Sequence, residues 1–440
     1  MGARQIAAIL LLTAISALDG FNVLSVSFAA PGFFGEFGID KAALGWALSM
    51  GLVGMGLGSL LLAPLADVFG RRRLVLGNLA LMMVGMFASA AAGSFPVLVS
   101  ARLLTGLGIG AMIAVITPLA AEYASARRRE LAIGLMSVGY PIGGLLGGAL
   151  STVLLHDYGW RAVFVLGGIV ASVLIPLVFA GLPESISYLL DRRPGNAIAR
   201  INQILIGRGH PMLAALPERN TRPTSAPLAE LLAGRMLWHT FHITAINFLF
   251  VITAYYFLNW LPSMVAEAGY SPSQSTAVSV MANLTGVAGG LLLGWLAPRL
   301  GLRRATIVAL VGAGTGTALF GGAGSDLKLM AIAASVTGFF LFGGFVGILS
   351  IIARSFAPRV RATGSGLVIG IGRAGSALAT VMAGALFASG IGSQSVSLLM
   401  GCCAVVAGLA LAGFRQRISD DSIPPASASP RSSSHPEACP

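Results

Sequence analysis

Three charged side chains lie well inside long apolar segments of this chain. Asp19 is the only ionisable residue between Ile6 and Pro31, while Arg102 and Arg373 interrupt two later apolar segments. A charge at membrane depth is costly and usually persists only where it serves a function. One carboxylate and two guanidinium groups in such places point to binding of an anion or to transfer of a proton.

The depths of these residues indicate which of them can interact. At about 1.5 Å per residue, Asp19 lies about 20 Å from the face where its helix begins, and Arg102 lies about 9 Å from the opposite face. In an apolar core about 30 Å thick the two share one level, so they are expected to be able to pair. Arg373 lies about 17 Å deep, near the midplane where transporter substrate sites usually lie.

From these depths we predict a division of chemistry. Arg373 is expected to hold a substrate carboxylate, because its planar guanidinium matches a carboxylate with two hydrogen bonds. Asp19 is expected to carry a proton, since burial disfavours its ionised form and a neighbouring arginine favours it. Arg102, and Asn22 one turn beyond Asp19, are expected to add polar contacts at the substrate site. For Asn22 the alternative is a hydrogen bond that joins two helices.

The other assignments also have structural alternatives. A purely structural role for Asp19 and Arg102, as partners of each other, is the first alternative, and a structural role for Arg373, bound to backbone carbonyls, is the second. Tyr255 and Asn259 lie near the end of a later apolar segment and are expected to contact the substrate. An interfacial belt of aromatic residues is the alternative explanation for this group.

The elements that position these residues are predicted to be membrane-spanning helices. The chain has 440 residues, of which 56% are apolar and 10% charged, with 58 glycines and a mean hydropathy of +0.85. A soluble domain is about one quarter charged, and a span needs about 20 apolar residues. Twelve segments meet this requirement: 6–30, 42–63, 74–93, 96–120, 130–155, 161–181, 237–260, 276–297, 304–323, 328–352, 362–387 and 395–414.

We therefore predict an all-α membrane protein whose twelve transmembrane helices form two six-helix bundles. Residues 1–183 are expected to form the first bundle and residues 236–414 the second. Residues 184–235 are expected to be a cytoplasmic linker, and residues 415–440 a disordered cytoplasmic tail, because that tail is rich in Ser and Pro.

The basic residues indicate the orientation of the spans. If both termini are cytoplasmic, 23 of the 28 Lys and Arg residues fall in cytoplasmic segments. Lys41, Arg161 and Lys328 fall on the opposite side, and Arg102 and Arg373 lie within spans. Loops rich in Lys and Arg stay on the cytoplasmic side. The net charge of +12 therefore reports topology, and no nucleic acid is expected as a partner. The first span has features of a signal peptide, but its apolar run continues past Asp19 and the charge pattern requires that it is retained.

A short basic turn follows the second span of each predicted half. Residues 65–73 read LADVFGRRR, and residues 296–304 read LAPRLGLRR. Such a repeat is typical of transporters built from two related bundles. The first copy resembles the signature loop of the major facilitator superfamily, with Ala63 in place of its first glycine and Asp67 as its acid. A basic turn that only fixes topology is the alternative.

Further motifs resemble the same superfamily, over residues 6–414. Residues 102–110 resemble its Arg-x-x-x-Gly-x-Gly-x-Gly pattern, residues 139–144 its glycine motif on the fifth span, and residues 182–185 the end of its sixth span. Residues 19–22, Asp-Gly-Phe-Asn, are similar to the Asp-Gly-Phe-Asp of the aromatic acid:proton symporter family. In this chain Asn22 replaces the second acid, which leaves the proton stoichiometry open.

The resemblance implies a secondary active transporter that imports a small aromatic carboxylate with protons by alternating access. It implies no cofactor, because the proton gradient supplies the energy. The residues expected to connect the halves on the cytoplasmic side are Asp67, Gly70, Arg71, Arg72, Glu122 and Arg128. The residues expected to let the fifth span bend and slide against the other half are Gly139, Pro141, Gly143 and Gly144. Static close packing of this span against its neighbours is the alternative.

Other functions stay open at the level of sequence. They are transport of another organic anion or a sugar-like compound, drug efflux by antiport, and a non-transporting membrane sensor; Arg373 favours an anion among the solutes. An enzyme is not expected, because the sequence has no metal-ligand cluster, nucleophile elbow or phosphate-binding loop. The expected partners are an anionic small molecule, protons and the lipid bilayer. We expect a monomeric, multi-pass protein of the bacterial cytoplasmic (inner) membrane.

Overall fold

The computed structural model describes residues 2–125, 128–193, 196–206, 212–213, 215–216, 231, 234–356 and 360–413. Across these ranges the chain is helical and contains no strand. Twelve helices are long and apolar enough to cross a membrane, which confirms the predicted spans. We number them α1 to α12: Ala3–Phe37, Lys41–Leu61, Arg71–Ala90, Phe95–Tyr123, Arg129–Asp157, Trp160–Gly181, Gly234–Glu267, Pro272–Leu300, Leu302–Gly321, Leu327–Ser355, Arg361–Ala388 and Ser393–Gly413.

The first helix continues well past its predicted end at residue 30. It includes Pro31 and ends at Gly38, whose backbone is left-handed with a φ of 58°. Glycine adopts this conformation without the steric cost that a side chain brings, so it terminates helices readily. Helix α2 begins three residues later, where the Asp40 carboxylate accepts the backbone N–H of Ala43 at 2.7 Å. This short connection makes α1 and α2 antiparallel neighbours.

The twelve helices form two halves that repeat one packing scheme. In the first half α2 packs on α4, α3 on α4, and α3 on α6. In the second half α8 packs on α10, α9 on α10, and α9 on α12. Each pair of the second half therefore lies six helices after its counterpart, as the repeated basic turn predicts.

The two basic turns also have the same geometry. Gly70 and Gly301 precede α3 and α9 with left-handed φ values of 100° and 86°. Two residues after each glycine an arginine binds backbone carbonyls at the end of the sixth helix of its own half. Arg72 binds the carbonyl of Phe179, and Arg303 binds the carbonyls of residues 411 and 412. The turn thus fixes the third helix of each half to the sixth.

The central segment contains helices of its own. Ile186–Arg192 and Ala197–Ile206 are helical, and the Ser185 hydroxyl caps the first of them by accepting the backbone N–H of Tyr188 at 3.2 Å. Most of the remainder of this segment, and the predicted tail at 415–440, lie outside the described residues.

The halves meet at the end of the molecule where α1 ends and α2 begins, which we call the distal end. Lys41 on α2 forms an ion pair with Glu267 on α7 at 2.9 Å. On another pair of helices, the Ser273 hydroxyl of α8 donates to the carbonyl of Thr152 on α5 at 2.8 Å. These contacts join α2 to α7 and α5 to α8, so the distal end is closed.

Candidate functional site

Asp19 is fully buried on α1, and neither of its carboxylate oxygens has a hydrogen-bond partner among the described residues. The charge that acts on this carboxylate is Arg373, from the other half. The helix is held against α5 at this level, because a Cβ on Gly20 would lie only 2.0 Å from the backbone oxygen of Tyr140. A buried carboxylate without a direct partner is costly, so this position has the character of a functional site.

Arg102 does not pair with Asp19, contrary to the prediction from depth. Its guanidinium donates to the main-chain oxygen of Asn22 at 2.7 Å and to the Ser25 hydroxyl at 3.4 Å, and it lies 5.5 Å from the ring centre of Phe164. The Arg102 guanidinium instead reaches α1 at Asn22 and Ser25, which lie three and six residues beyond Asp19. It connects α4 to α1 within the first half.

The Asn22 side chain also points into the first half. Its amide nitrogen lies 3.7 Å from the Met82 sulfur on α3, and its oxygen lies 2.8 Å from the point where a Cβ on Gly167 of α6 would sit. That oxygen has no hydrogen-bond partner among the described residues. Three helical residues turn the chain by about 300°, so Asn22 lies only about 60° around the helix from Asp19. This spacing agrees with the shared face expected from sequence, whereas the contacts of the Asn22 side chain lie within the first half.

Arg373 connects the two halves near the middle of α11. One of its guanidinium nitrogens donates to the Ser59 hydroxyl at 2.8 Å and to the backbone oxygen of Met55 at 3.0 Å, both on α2. The first of these partners is a neutral hydroxyl and the second a carbonyl. Among the described residues no carboxylate forms an ion pair with Arg373. The guanidinium keeps its charge available to an anion.

Two tyrosines complete this cluster. The phenol groups of Tyr140 on α5 and Tyr255 on α7 lie close to each other across the two halves, and the charge of Arg373 acts on both. The Asp19 carboxylate acts on Tyr140 as well. The site therefore combines a carboxylate, a guanidinium and two phenols from α1, α5, α7 and α11.

Sequence reasoning identified three members of this cluster and missed Tyr140 as a site residue. Tyr140 lies inside the glycine motif of α5, where it was read only as part of a pattern. It is the one residue of that motif with a polar side chain. A polar side chain at mid-span, among residues that otherwise only permit close packing, is the signal that identifies it.

Asn259 lies nearer the distal end and joins the halves. Its side-chain oxygen accepts the Ser27 hydroxyl of α1 at 2.8 Å, and its nitrogen lies 3.4 Å from the Thr380 hydroxyl. The residue is 1% exposed. In this conformation its hydrogen bonds are used between helices.

A further buried amide lies where α5 meets α8. The Asn283 side chain donates to the carbonyl of Ser279 at 2.8 Å, which leaves its oxygen without a partner among the described residues. That oxygen lies 3.6 Å from the point where a Cβ on Gly144 would sit. Sequence analysis did not single out Asn283, because one Asn in an apolar helix is a weak signal.

The glycines of α5 serve mainly to pack it on α1. A Cβ on Gly139 would lie 2.4 Å from the oxygen of Thr13, and one on Gly143 would lie 1.7 Å from the oxygen of Ala17. These contacts lie within the first half and are the close packing that was the alternative for these two glycines, while sliding of α5 against the other half stays a prediction. Gly144 faces both Leu24 and the Asn283 of α8. Pro141 lies inside the helix and does not interrupt it.

The basic network after α2 also stays inside the first half in this conformation. Arg71 forms an ion pair with Glu122, and the other Glu122 oxygen accepts the Ser185 hydroxyl at 2.7 Å. The backbone N–H of Arg72 donates to Glu184 at 3.0 Å. These bonds tie the third and fourth helices to the chain after the sixth. The expected connection between halves is not formed by Arg71 or Arg72 within the described part of the chain.

Three other residues were assigned to this network. Gly70 supplies the left-handed turn, and a Cβ there would lie 2.6 Å from a Glu184 oxygen. Arg128 is exposed, with its backbone N–H donating to Ser125 at 2.9 Å. The side chain of Asp67 lies outside the described residues.

Metal binding has no candidate in the described ranges, where no three His, Cys, Asp or Glu residues are grouped to hold an ion.

Comparison with known proteins gives consistent matches. Residues 9–326 match the Major Facilitator Superfamily. The gallate transporter of Pseudomonas putida is 30% identical over 394 residues, which cover 89% of this chain and 88% of that protein. The 3-(3-hydroxy-phenyl)propionate transporter of Escherichia coli strain K12 is 32% identical over 400 residues, which cover 90% of this chain and 91% of that protein.

The fold is similar to that of solved transporters. A partially occluded inward-open conformation of the xylose transporter of E. coli aligns with a TM-score of 0.71 at 18% identity, covering 94% of this chain and 98% of that one. At this identity the likeness concerns the fold.

Proposed function

This chain belongs to the major facilitator superfamily, and we propose that it imports a small aromatic carboxylate together with protons. It is a multi-pass membrane transporter rather than an enzyme. The observation that carries the proposal is the placement of Asp19 and Arg373 on opposite halves, with no direct partner for the carboxylate and only neutral partners for the guanidinium.

Arg373 is the proposed binding group for the substrate carboxylate. Its present partners, the Ser59 hydroxyl and the Met55 carbonyl, leave the positive charge uncompensated by a hydrogen-bonded anion. A substrate carboxylate can form two charge-assisted hydrogen bonds with the planar guanidinium, which are stronger than bonds to neutral groups. Because these bonds reach α2 of the other half, substrate binding at Arg373 would change a contact between the halves.

Asp19 is the proposed proton carrier, coupled to the substrate through Arg373. A fully buried carboxylate is stable in its ionised form only with a compensating charge, and Arg373 is the charge that acts on it. When a substrate carboxylate occupies Arg373, that compensation is shared with a second anion. Protonation of Asp19 then becomes favourable, because it removes one negative charge from the buried site. Substrate and proton would bind together for this reason.

The two tyrosines are proposed to contact the substrate ring. Tyr140 and Tyr255 present aromatic surface and phenol groups beside Arg373, and Phe345 packs edge-on against Tyr255 at 6.3 Å between ring centres. Aromatic pairs in such arrangements are favourable beyond the area that they bury. Two relatives are named for acids that carry a ring with hydroxyl groups, gallate and 3-(3-hydroxy-phenyl)propionate. These names support an aromatic acid over an aliphatic one.

We further propose that the protein works as a monomer in the bacterial cytoplasmic membrane, with both termini in the cytoplasm. The arginine-rich ends of α3, α9 and the helices that precede them support this orientation. The proton gradient across that membrane would drive uptake without a cofactor.

Uptake by proteoliposomes tests the proposed function. The purified protein would be offered labelled benzoate, hydroxybenzoates and aliphatic acids of similar size, with and without an inward proton gradient, and protein-free liposomes would correct for passive entry. We expect accumulation of aromatic acids only with the gradient. Accumulation that is indifferent to the gradient would contradict symport, and preference for aliphatic acids would contradict the substrate class.

A further inference from the structure

The second half carries its charges unevenly. Between residues 234 and 413 its only acidic residues are Glu267 and Asp326. Glu267 ends α7 and Asp326 precedes α10, so both lie at the distal end. The opposite end carries Arg299, Arg304 and further arginines. The arginines at that end have no acidic side chain of their own half within reach.

A groove between α8, α9 and α10 leads to two of these arginines. It encloses about 360 Å³, and its lining is apolar except for Arg299 and Arg304. Leu292 and Val308 on its walls are exposed, while Ala309 at its floor is buried. The groove follows α8 from residue 289 to residue 300, a length of about 16 Å. This is close to half of an apolar core about 30 Å thick, the depth of one lipid leaflet.

The two arginines are free to bind an anion. Arg299 stacks on the exposed ring of Trp295 at 3.6 Å, and Arg304 is exposed. Neither forms an ion pair with a carboxylate in the described part of the chain. In the equivalent region of the first half, Arg71 is paired with Glu122. The second half thus keeps a basic turn but supplies no acid to neutralise it.

We propose that this groove binds one anionic phospholipid. Its acyl chain would fill the apolar groove, and its phosphate would lie between Arg299 and Arg304. A single ligand that is both an anion and a chain about one leaflet long matches the two features of the site. Basic pockets between transmembrane helices bind acidic lipid headgroups for the same reason. The bound lipid would stabilise the contact of α9 with α8 and α10.

Lipid binding to the full-length protein in detergent tests this inference. Native mass spectrometry would compare retention of phosphatidylglycerol and phosphatidylcholine by the wild type and by the double variant R299Q/R304Q. We expect the wild type to prefer phosphatidylglycerol and the double variant to bind it on the order of tenfold more weakly. Arg354→Gln is the matched control, because Arg354 is exposed at the same end of α10 but does not line the groove. Ala305→Phe, which fills the groove, is expected to weaken retention without a change of charge.

Three results would overturn the inference. The first is equal retention of phosphatidylglycerol by the wild type and R299Q/R304Q, and the second is equal retention of both lipids by the wild type. The third is binding that appears only when Asp420 and Asp421 are both changed to Asn, which would assign the arginines to the chain's own tail. Melting curves of each variant would separate loss of the lipid from loss of the fold.

Discussion

At the scale of single residues, the proposed coupling rests on two opposite charges with unequal surroundings. Asp19 is fully buried with no hydrogen-bond partner among the described residues, whereas Arg373 has two neutral partners on α2. The carboxylate therefore depends on the guanidinium for electrostatic compensation, and the guanidinium can exchange its neutral partners for a stronger anionic one. This asymmetry distinguishes a coupled pair from a structural salt bridge.

Removal of the Asp19 carboxyl should abolish substrate accumulation but leave substrate exchange intact. In Asp19→Asn the side chain cannot release a proton, so we expect loss of gradient-driven accumulation while exchange of labelled for unlabelled substrate persists. Both are measured in the same proteoliposomes. Asp157→Asn is the matched control, because Asp157 is exposed and pairs with His156. Gradient-driven accumulation at the wild-type level in Asp19→Asn would exclude the proposed role.

Replacement of Arg373 by Lys should weaken substrate binding more than turnover. Lysine keeps the charge but loses the planar fork, so we expect KM for the aromatic acid to rise about tenfold, with a smaller change in kcat. Arg354→Lys provides a control of equal chemistry away from the cluster. An unchanged KM in Arg373→Lys would mean that this residue serves only its contacts on α2.

At the scale of helices, the structure shows what the sequence could not specify. Depth follows from counting residues along a helix, and it correctly places Asp19 and Arg373 in the middle of their spans. The direction in which a side chain points depends on how the helix is rotated in the bundle. Matching depth therefore suggested a pair between Asp19 and Arg102, whereas Arg102 binds the backbone of Asn22.

The same limit applies to the glycines of α5. Their spacing predicts close packing but not the partner, which is α1 of the same half for Gly139 and Gly143. Tyr140 was missed because its role depends on Tyr255, a residue 115 positions away in the other half. The span count and the repeated turn were predictable, since hydropathy and short motifs determine them directly.

The contact of α5 with α1 leads to a prediction for stability. In Gly143→Ala the new Cβ would lie 1.7 Å from the Ala17 oxygen, so the helices must separate. Overpacking of this kind costs about 1–3 kcal/mol, and we expect a lower melting temperature and reduced uptake. In Gly134→Ala, on the same helix, the Cβ meets nothing within 4 Å, so we expect stability to be unchanged or slightly raised. Equal melting temperatures for the two variants would contradict this packing.

At the scale of the whole molecule, the contacts between the halves describe one state of a transport cycle. The distal end is closed by the pair of Lys41 with Glu267 and by the bond of Ser273 with Thr152, while Arg373 joins the halves at mid-depth. Alternating access requires these distal contacts to break. The first basic network holds its own half together in this state, so its proposed role between halves belongs to the opposite state.

The ion pair at the distal end should bias this equilibrium. Lys41 and Glu267 are each about one third exposed, so their pair contributes no more than about 1 kcal/mol. We expect Lys41→Glu to increase labelling of a cysteine introduced in place of the buried Ser49, one turn along α2 from Gly45, in a variant without the three native cysteines. Because the substitution replaces the attraction with a repulsion of similar size, the increase can reach about thirtyfold. The swap Lys41→Glu with Glu267→Lys should return the labelling to its original level. No change in the single variant, or no rescue in the swap, would show that the pair does not contribute to closure.

The central claim, that substrate and proton cross the membrane together through Asp19, is tested most directly by measuring both fluxes at once. Proteoliposomes that contain a pH-sensitive dye would receive labelled 4-hydroxybenzoate without an imposed gradient, and protein-free liposomes would correct for entry of the neutral acid. The account predicts internal acidification in step with protein-dependent uptake in the wild type, and none in Asp19→Asn. Uptake by the wild type without acidification, or the same acidification in Asp19→Asn, would contradict it.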